Sequence, residues 1–189
     1  DVLSRYTVMD VIENFERLDS KLLEHSLAKH KSGLYVLPCP QQAEESEFIT
    51  SKQATDVFQF LKGVFRYLVA DVGHEFTKVA IAYLDLADTI LLVTTPDVPS
   101  LSNARSALDI FKRLGYGPEK VKVVLNRWRM KGEIDSSVIQ KNLSLELFSR
   151  LPDDWLNCLA AANQGKVLVE VTKNSELGKG IEKLAFLIT

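Results

Sequence analysis

The chain has 189 residues, of which 46% are hydrophobic and 25% are charged, and its formal net charge at pH 7 is −2. This balance is typical of a globular protein with one sizeable core, and it excludes an intrinsically disordered chain. The slightly negative charge argues against bulk electrostatic attraction to nucleic acid or to an anionic membrane.

Cysteine usage and hydropathy point to a reducing compartment. Cys39 and Cys158 have no metal-ligand spacing, so we expect buried free thiols rather than a zinc site or a disulfide framework. No apolar run approaches the roughly 18 residues of a membrane span, and the first residues lack the basic region and apolar core of a secretory signal. The sequence therefore predicts a cytoplasmic protein.

In the first third of the chain, the sequence pattern predicts helices and one strand. Thr7 begins a capping-box pattern followed by an apolar helical face, and a second helix is predicted over residues 19–30. The short apolar run at 34–38 ends in proline and favours a strand. Thr50 again has capping-box spacing, and an amphipathic helix follows it.

Three apolar runs rich in β-branched residues come next, at residues 67–73, 90–97 and 121–127. Each run ends in polar residues, and a helical pattern separates one run from the next. The helix after the second run is predicted to start at Asp97 and to stop at Gly115. This order predicts a parallel α/β sheet of the nucleotide-binding kind, whose ligands lie beyond the carboxyl ends of the strands.

The remaining residues continue the alternation. A helix is predicted at 135–143, a strand from Glu146, and a helix that Asp153 or Asp154 caps and that ends near Gly165. Residues 167–171, VLVEV, form a further candidate strand. Ser175 is the predicted cap of the last helix, whose inward face would consist of Leu177, Ile181, Leu184 and Ile188.

Asp71 is the first candidate site residue. A carboxylate just after a buried strand projects from the sheet edge, where it can hold a Mg²⁺-bound water against nucleotide phosphates. Gly73 then lets the backbone turn close to such a ligand. The alternative is that Asp71 only caps the following helix, and the pattern alone does not decide between the two.

Asn126 is the second candidate. A side-chain amide at a strand tip both donates and accepts, which matches the N7 and N6 groups of adenine. The alternative is a turn residue that bonds to its own backbone. The combination with Asp71 and the segment 95–97 in one sheet favours the functional interpretation.

A basic cluster follows the third predicted strand. Arg127, Arg129 and Lys131 are interleaved with Trp128, which is a pattern found in nucleic-acid-binding patches. The acidic total favours a short solvated loop instead, so we expect no sequence-specific nucleic-acid partner. A phosphate loop of the form G-x-x-x-x-G-K-[ST] does not occur in the 189 residues.

Several blocks carry a family resemblance. They are YLVADVGHEF, LDLADTILLVTTPDVPSLSNA, VVLNRW, LPDDW, AANQGKVLVEV and NSELGKGIEKLA. In this order they resemble the carboxyl-terminal three-quarters of the MinD/ParA-type P-loop ATPases, and are most similar to the branch with the CpaE and TadZ pilus-assembly proteins. The resemblance covers essentially the whole chain. It implies a three-layer, Rossmann-like P-loop NTPase fold, with a mostly parallel sheet and helices on both faces.

The resemblance also implies the site. It makes Asp71 the Walker B acid that holds Mg through a water, and Gly73 its accompanying glycine. It makes Asn126 and Arg127 the adenine-contacting pair, and it places Pro152 and Asp153 over the base. The implied cofactors are ATP and Mg.

The implied biology is that of a homodimeric switch whose ATP hydrolysis positions cellular machinery. Its partners would be pilus or secretion assembly proteins or polar-localisation proteins. A cytoplasmic protein recruited to the pole or to the inner membrane as a peripheral protein fits that description.

The family's amino-terminal segment, with its first strand, phosphate loop and next strand, has no counterpart in the sequence. We therefore expect a single domain over 1–189 that lacks its first strands, with a phosphate-loop segment and a receiver-like domain upstream in the natural polypeptide.

Two other functions remain open. One is a non-hydrolysing localisation scaffold of the same fold, suggested by the HEF that follows Gly73. The other is a receiver-like signalling domain in which Asp71 is phosphorylated and Thr94 senses it. The receiver interpretation suffers from the lack of an early acidic pair and of a strand-end lysine.

Overall fold

The structure, a computed structural model, describes residues 6–19, 23–24, 26–40, 47–129, 134–172 and 174–189. By its internal packing the chain divides into two units, Asp1–Ala87 and Asp88–Thr189, and each is described by itself.

The first unit contains short helices and a small antiparallel ribbon. Its elements are α1 (Val8–Glu13), a 3₁₀ turn (Phe15–Arg17), β1 (Ala28–Lys29), β2 (Tyr35–Val36), α2 (Ser51–Val64) and α3 (Lys78–Leu86). The core consists of apolar side chains from α1, α2 and the segment between them: Val8, Val11, Leu23, Leu27, Val57 and Leu61. The ring of Phe15 meets that of Phe60 edge-on at 6.1 Å between centroids, which extends this core.

Both predicted capping boxes of the first unit are confirmed. The Thr7 backbone N–H donates to the Asp10 carboxylate at 2.6 Å. At the start of α2, the Thr50 N–H donates to the Gln53 side-chain oxygen at 3.0 Å, and the Gln53 N–H donates back to the Thr50 hydroxyl at 3.3 Å. These reciprocal bonds satisfy backbone donors that a helix start leaves without partners.

The predicted helix over 19–30 is wrong at its carboxyl end. Residues 23, 24 and 26 are helical, but 28–29 form β1 and pair antiparallel with β2, in the register Ala28 to Val36. Gly33, at φ 92°, allows the chain to reverse between the two strands. The strand predicted at 34–38 is confirmed as β2, although it is shorter than expected.

The strand predicted at 67–73 is also wrong. These residues have no regular secondary structure, and Tyr67 and Val69 are 55% and 91% exposed. A β-strand needs a neighbour that completes its backbone hydrogen bonds, and no strand within the described part of the chain pairs with this segment. The apolar pattern alone therefore does not make it a strand here.

The second unit has the predicted alternation of strands and helices. Its elements are β3 (Ile90–Thr94), α4 (Val98–Arg113), β4 (Val121–Trp128), α5 (Ser136–Leu143), β5 (Leu147–Pro152), α6 (Trp155–Asn163), α7 (Leu168–Val171) and α8 (Glu176–Ile188). The strands form one parallel sheet in the order β3-β4-β5, so the prediction of an α/β fold with a parallel sheet is confirmed.

Strand β4 is the centre of this sheet. It pairs with β3 from Ile90–Val121 to Thr94–Leu125, and its pairing with β5 ends at Trp128–Pro152 after an irregularity in the register. Its central residues are almost completely buried, as is typical of an inner strand of a parallel sheet. They pack with helices α4 and α5 in a core of Leu101, Ala104, Val123, Leu125, Ile139 and Leu143.

The predicted helix boundaries of the second unit are confirmed. Asp97 caps α4 by accepting the Ser100 N–H at 2.9 Å, and Gly115 follows its end at φ 82°. Asp135 caps α5 and Ser175 caps α8 in the same way.

Two expectations about the last part of the chain are corrected. Residues 168–171 form helix α7 rather than a strand, and α7 contacts α6. Helix α8 buries Leu177, whereas Ile181 and Ile188 are exposed. Helix α8 packs against β5 at Gly180, where an added Cβ atom would lie 3.3 Å from the side chains of Leu151 and Pro152.

Both cysteines are free thiols as expected, but neither is fully buried: Cys158 is half-buried, and Cys39 is exposed in the irregular segment beyond β2. Within the described ranges, none of the helices combines the length and the apolar character that a membrane-spanning helix requires.

Candidate functional site

The carboxyl ends of β3, β4 and β5 lie at one edge of the second unit, because the three strands are parallel. Ligands of open α/β sheets bind at this edge. Residues 95–97 follow β3, Asn126 and Arg127 are among the last residues of β4, and Pro152 and Asp153 are at the end of β5. Four predicted site residues, Asn126, Arg127, Pro152 and Asp153, lie at the ends of the neighbouring strands β4 and β5, and we call them the β4–β5 corner.

Asn126 presents a donor at this corner. Its side-chain oxygen accepts the Arg127 backbone N–H at 2.9 Å, which fixes the orientation of the amide. The amide nitrogen makes no hydrogen bond to another residue that the structure describes, and Asn126 is half-buried. The group therefore keeps two N–H donors and a second oxygen lone pair for a ligand.

Arg127 has an uncommon backbone conformation. Its φ of 54° lies in the left-handed region, which a non-glycine residue adopts at a cost of about 1–3 kcal/mol and which occurs often at ligand sites. Its guanidinium carbon lies 5.7 Å from the centroid of the exposed Trp155 ring, within the range of a cation–π contact.

Two kinds of bond hold Asp153 against the end of β4. Its backbone N–H donates to the Trp128 carbonyl at 3.0 Å. Its carboxylate accepts from the Arg129 guanidinium, from Nε at 2.7 Å and also from Nη2. The preceding residue, Pro152, is in register with Trp128. The loop after β5 is therefore fixed to the strand tip that carries Asn126.

The polar side chains of the turn after β3 form hydrogen bonds with one another and with the first turn of α4. The Thr95 hydroxyl donates to the Asp97 carboxylate, and the Thr95 and Ser100 hydroxyl oxygens are 2.8 Å apart. The hydrogen bond from Thr95, followed by those from the Ser100 N–H and hydroxyl, lowers the pKa of Asp97 below its ordinary value. The buried Thr94 hydroxyl donates to the Ser100 carbonyl at 3.1 Å.

Asp71 and Gly73 belong to the first unit. Asp71 is exposed, and its Oδ1 accepts the Gly73 N–H at 3.3 Å. Gly73 has φ 70°, which is the turn conformation expected of it. The alternative that Asp71 caps the following helix is wrong, since Thr77 caps α3 by accepting the Ala80 N–H at 3.1 Å. Its role toward a metal remains a prediction.

The Asp71 carboxylate is the kind of ligand that Mg²⁺ prefers. In the described ranges, no cluster of three His, Cys, Asp or Glu residues could hold a metal ion alone. Mg²⁺ does not require such a cluster, because it keeps several waters and binds through one or two carboxylates together with phosphate oxygens. The second oxygen of Asp71 suits that arrangement.

Sequence reasoning missed the contacts of Arg129 and Trp155. The basic cluster was expected to be a solvated loop. In the structure, Arg129 bonds to Asp153, and the Arg127 guanidinium lies 5.7 Å from the centroid of the Trp155 ring. Arg129 directly follows β4 and Asp153 directly follows β5. Knowledge that these two strands pair would therefore have predicted the contact between Arg129 and Asp153. Lys131 lies outside the described residues.

Comparison with known proteins gives a consistent result. No protein-family profile matches the chain. The septum site-determining protein MinD of Thermotoga maritima is 29% identical over 185 residues, and the match covers 95% of this chain but only 66% of that protein.

Two solved structures share the fold. A ParA family ATPase from Chlorobium tepidum matches 99% of this chain and 77% of its own, with a TM-score of 0.91 and 24% identity. MinD from Pyrococcus horikoshii, complexed with Mg-ADP, matches 100% of this chain and 74% of its own, with a TM-score of 0.78 and 18% identity. The chain is thus similar to MinD along nearly its whole length, and it shares its α/β fold with the two solved structures.

Proposed function

We propose that the chain is part of an ATP-binding switch of the MinD/ParA type, whose ATP hydrolysis positions cellular machinery. The β4–β5 corner is the observation that carries the proposal. Asn126 and Arg127 come from one sequence block and Pro152 and Asp153 from another, yet direct hydrogen bonds join the two blocks at a sheet edge that suits a ligand.

The corner has the chemistry of a base-binding site. The Asn126 amide nitrogen donates to an acceptor such as purine N7, and its oxygen keeps a lone pair for the amino group of adenine. The Pro152–Asp153 loop, fixed by Trp128 and Arg129, forms the adjoining wall. These residues bind and orient the base, and they take no part in bond breaking.

A role toward the metal ion is proposed for Asp71 and Gly73 of the first unit. The Asp71 carboxylate would hold Mg²⁺ through a bound water, and the metal would neutralise charge on the phosphates during phosphoryl transfer. Gly73 donates its N–H to Asp71 and thereby fixes the carboxylate.

Hydrolysis by the full-length natural protein tests this assignment. We expect Asp71→Ala to lower the turnover of Mg-ATP at least about tenfold, which corresponds to ~1.4 kcal/mol of barrier. Glu75→Ala removes a charge from the same exposed segment and should leave the turnover unchanged. Equal turnover of Asp71→Ala and the parent protein would contradict the role of Asp71.

A non-hydrolysing scaffold of the same fold is the second candidate, and the exposed segment His74, Glu75 and Phe76 after Gly73 favours it. Saturable ATP binding without turnover would select the scaffold. The receiver-like alternative is not favoured, because the buried Thr94 hydroxyl already bonds to the Ser100 carbonyl.

The biological setting proposed is the one that the family resemblance implies. The protein would be cytoplasmic and would form an ATP-dependent homodimer. Pilus or secretion assembly proteins, or polar-localisation proteins, would recruit it to the pole or to the inner membrane. Light scattering of the full-length protein with and without Mg-ATP tests the dimer, since an unchanged monomer mass at saturating ATP would contradict it.

A further inference from the structure

Trp155 is an exposed aromatic residue beside the β4–β5 corner. It is the first residue of α6, directly after the N-cap Asp154, and it is 56% exposed. Tryptophan is usually a highly buried residue. An open indole at the ligand-binding edge of a parallel sheet therefore suggests that a ligand covers it.

Arg127 connects this indole to the site. Its guanidinium lies 5.7 Å from the ring centroid, and its backbone has a φ of 54°. A non-glycine residue in the left-handed region is a feature that clusters at ligand sites. The unusual backbone and the exposed aromatic ring thus occur in one pair of contacting residues.

The position of Trp155 is well defined. Asp153, two residues earlier, bonds through its backbone to Trp128 and through its carboxylate to Arg129. Asp154 accepts hydrogen bonds from the Asn157 side chain at 2.8 and 3.0 Å, which orders the first turn of α6. The start of α6 is therefore held against the strand end that carries Asn126 and Arg127.

We propose that Trp155, together with Arg127, forms a stacking platform for the purine ring of the bound nucleotide. This inference rests on the proposed function and adds the residue that sets the affinity for the base. Every base offers a π face to an aromatic side chain, and a neighbouring guanidinium strengthens such stacking. Stacking does not read the base edge, so the choice between purines stays with the Asn126 amide.

Equilibrium binding of Mg-ATP to the full-length protein tests the platform with paired variants. Trp155→Leu keeps an apolar side chain but has no π face, and we expect its Kd to rise at least about tenfold. Trp155→Phe keeps a π face and should stay within about threefold of the parent. Leu156→Ala changes the next residue of α6, which is 78% exposed, and should leave the Kd unchanged.

Ribose 5-triphosphate has no base, so it distinguishes a loss of base stacking from a general loss of nucleotide binding. Its affinity should be the same for the parent and for Trp155→Leu, and a parallel loss of both affinities would contradict the platform. Equal ATP affinity of Trp155→Leu and the parent would overturn the inference while the ATP site stands. If the parent itself does not bind Mg-ATP, the proposed function fails and this inference fails with it.

Discussion

Arg129 and Asp153 form an ion pair across the ends of β4 and β5. The guanidinium donates to the carboxylate from Nε at 2.7 Å and also from Nη2, while the Asp153 backbone bonds to Trp128 at 3.0 Å. The Asp153 side chain is 13% exposed and that of Arg129 is 74% exposed, so the carboxylate is covered and its partner is open to solvent. The pair joins two chain segments that are 24 residues apart.

Asp153→Ala should lower both stability and nucleotide affinity. Removal of a well-covered carboxylate with two hydrogen bonds from a guanidinium should decrease the free energy of unfolding by about 1 kcal/mol. The released loop should also weaken Mg-ATP binding several-fold. Chemical denaturation and equilibrium titration measure the two effects.

Asp109→Ala is the matched control for this change. Asp109 also pairs with an arginine, Arg105, but at 3.9 Å and on the exposed side of α4. Such a surface pair contributes at most a few tenths of a kcal/mol, so neither stability nor ATP affinity should change measurably. A loss as large as that of Asp153→Ala would contradict a specific role of the Arg129–Asp153 pair.

The left-handed backbone of Arg127 predicts a difference between two substitutions that both remove its side chain. Arg127→Gly should be more stable than Arg127→Ala by about 1 kcal/mol, because only glycine adopts φ 54° without strain. Both variants should lose ATP affinity to a similar extent. Thermal or chemical unfolding and binding titrations measure these quantities.

Ser144 provides the control, since it has the same φ of 54° at the end of α5. Ser144→Gly should exceed Ser144→Ala in stability by a similar amount, about 1 kcal/mol, without any change in ATP binding. Equal stability of the glycine and alanine variants at position 127 would show that the backbone there is not strained.

Substitution of Gly73 should lower the turnover of ATP without weakening the binding of the base. Gly73→Ala places a side chain at φ 70°, which disturbs the N–H that bonds to Asp71. We expect kcat to fall while the Kd for ATP stays near that of the parent. Gly33→Ala, at φ 92° and with open space around the added Cβ, imposes a similar backbone cost elsewhere in the first unit and should leave kcat unchanged. A fall in kcat for both variants would indicate a general loss of stability.

The lowered pKa of Asp97 should make the stability of the folded chain depend on pH. Its folded-state pKa is lowered, first by the Thr95 hydroxyl, so its contribution is present above the ordinary value of 3.8 and is lost as the pH falls through the folded pKa. Thr95→Val removes the first of these causes, so the pKa should rise toward 3.8 and acid destabilisation should begin at a higher pH. Unfolding temperatures between about pH 6 and pH 2 and an NMR titration of the carboxyl group test this. An unchanged Asp97 pKa in Thr95→Val would refute it.

Patterns within single elements predicted much of the second unit. The strands at 90–94 and 121–128 contain apolar runs rich in β-branched residues, and Asp97, Asp135 and Ser175 cap the helices that follow them directly, so neighbouring residues indicate these elements. The segment 67–73 has a similar apolar run but no described strand beside it, which the segment itself cannot reveal.

The candidate site was predictable in part for the same reason. Asn126 and Arg127 lie at the polar end of a recognisable strand, and the family resemblance pointed to Pro152 and Asp153. The bonds of Asp153 to Arg129 and the contact between Arg127 and Trp155 depend on the pairing of β4 with β5 and on a positive φ. Neither property follows from residue types in one segment. Trp155 and Arg129 were therefore not recognised as part of the corner.

Isothermal titration of Mg-ATP into the full-length protein and its Asn126→Ala variant measures whether the β4–β5 corner binds the base. We expect saturable binding by the parent and an affinity about tenfold lower for the variant, because the base loses the amide that Arg127 holds in place. Absence of saturable binding by the parent, or equal affinity of the parent and Asn126→Ala, would contradict the assignment of the β4–β5 corner as the base side of an ATP site.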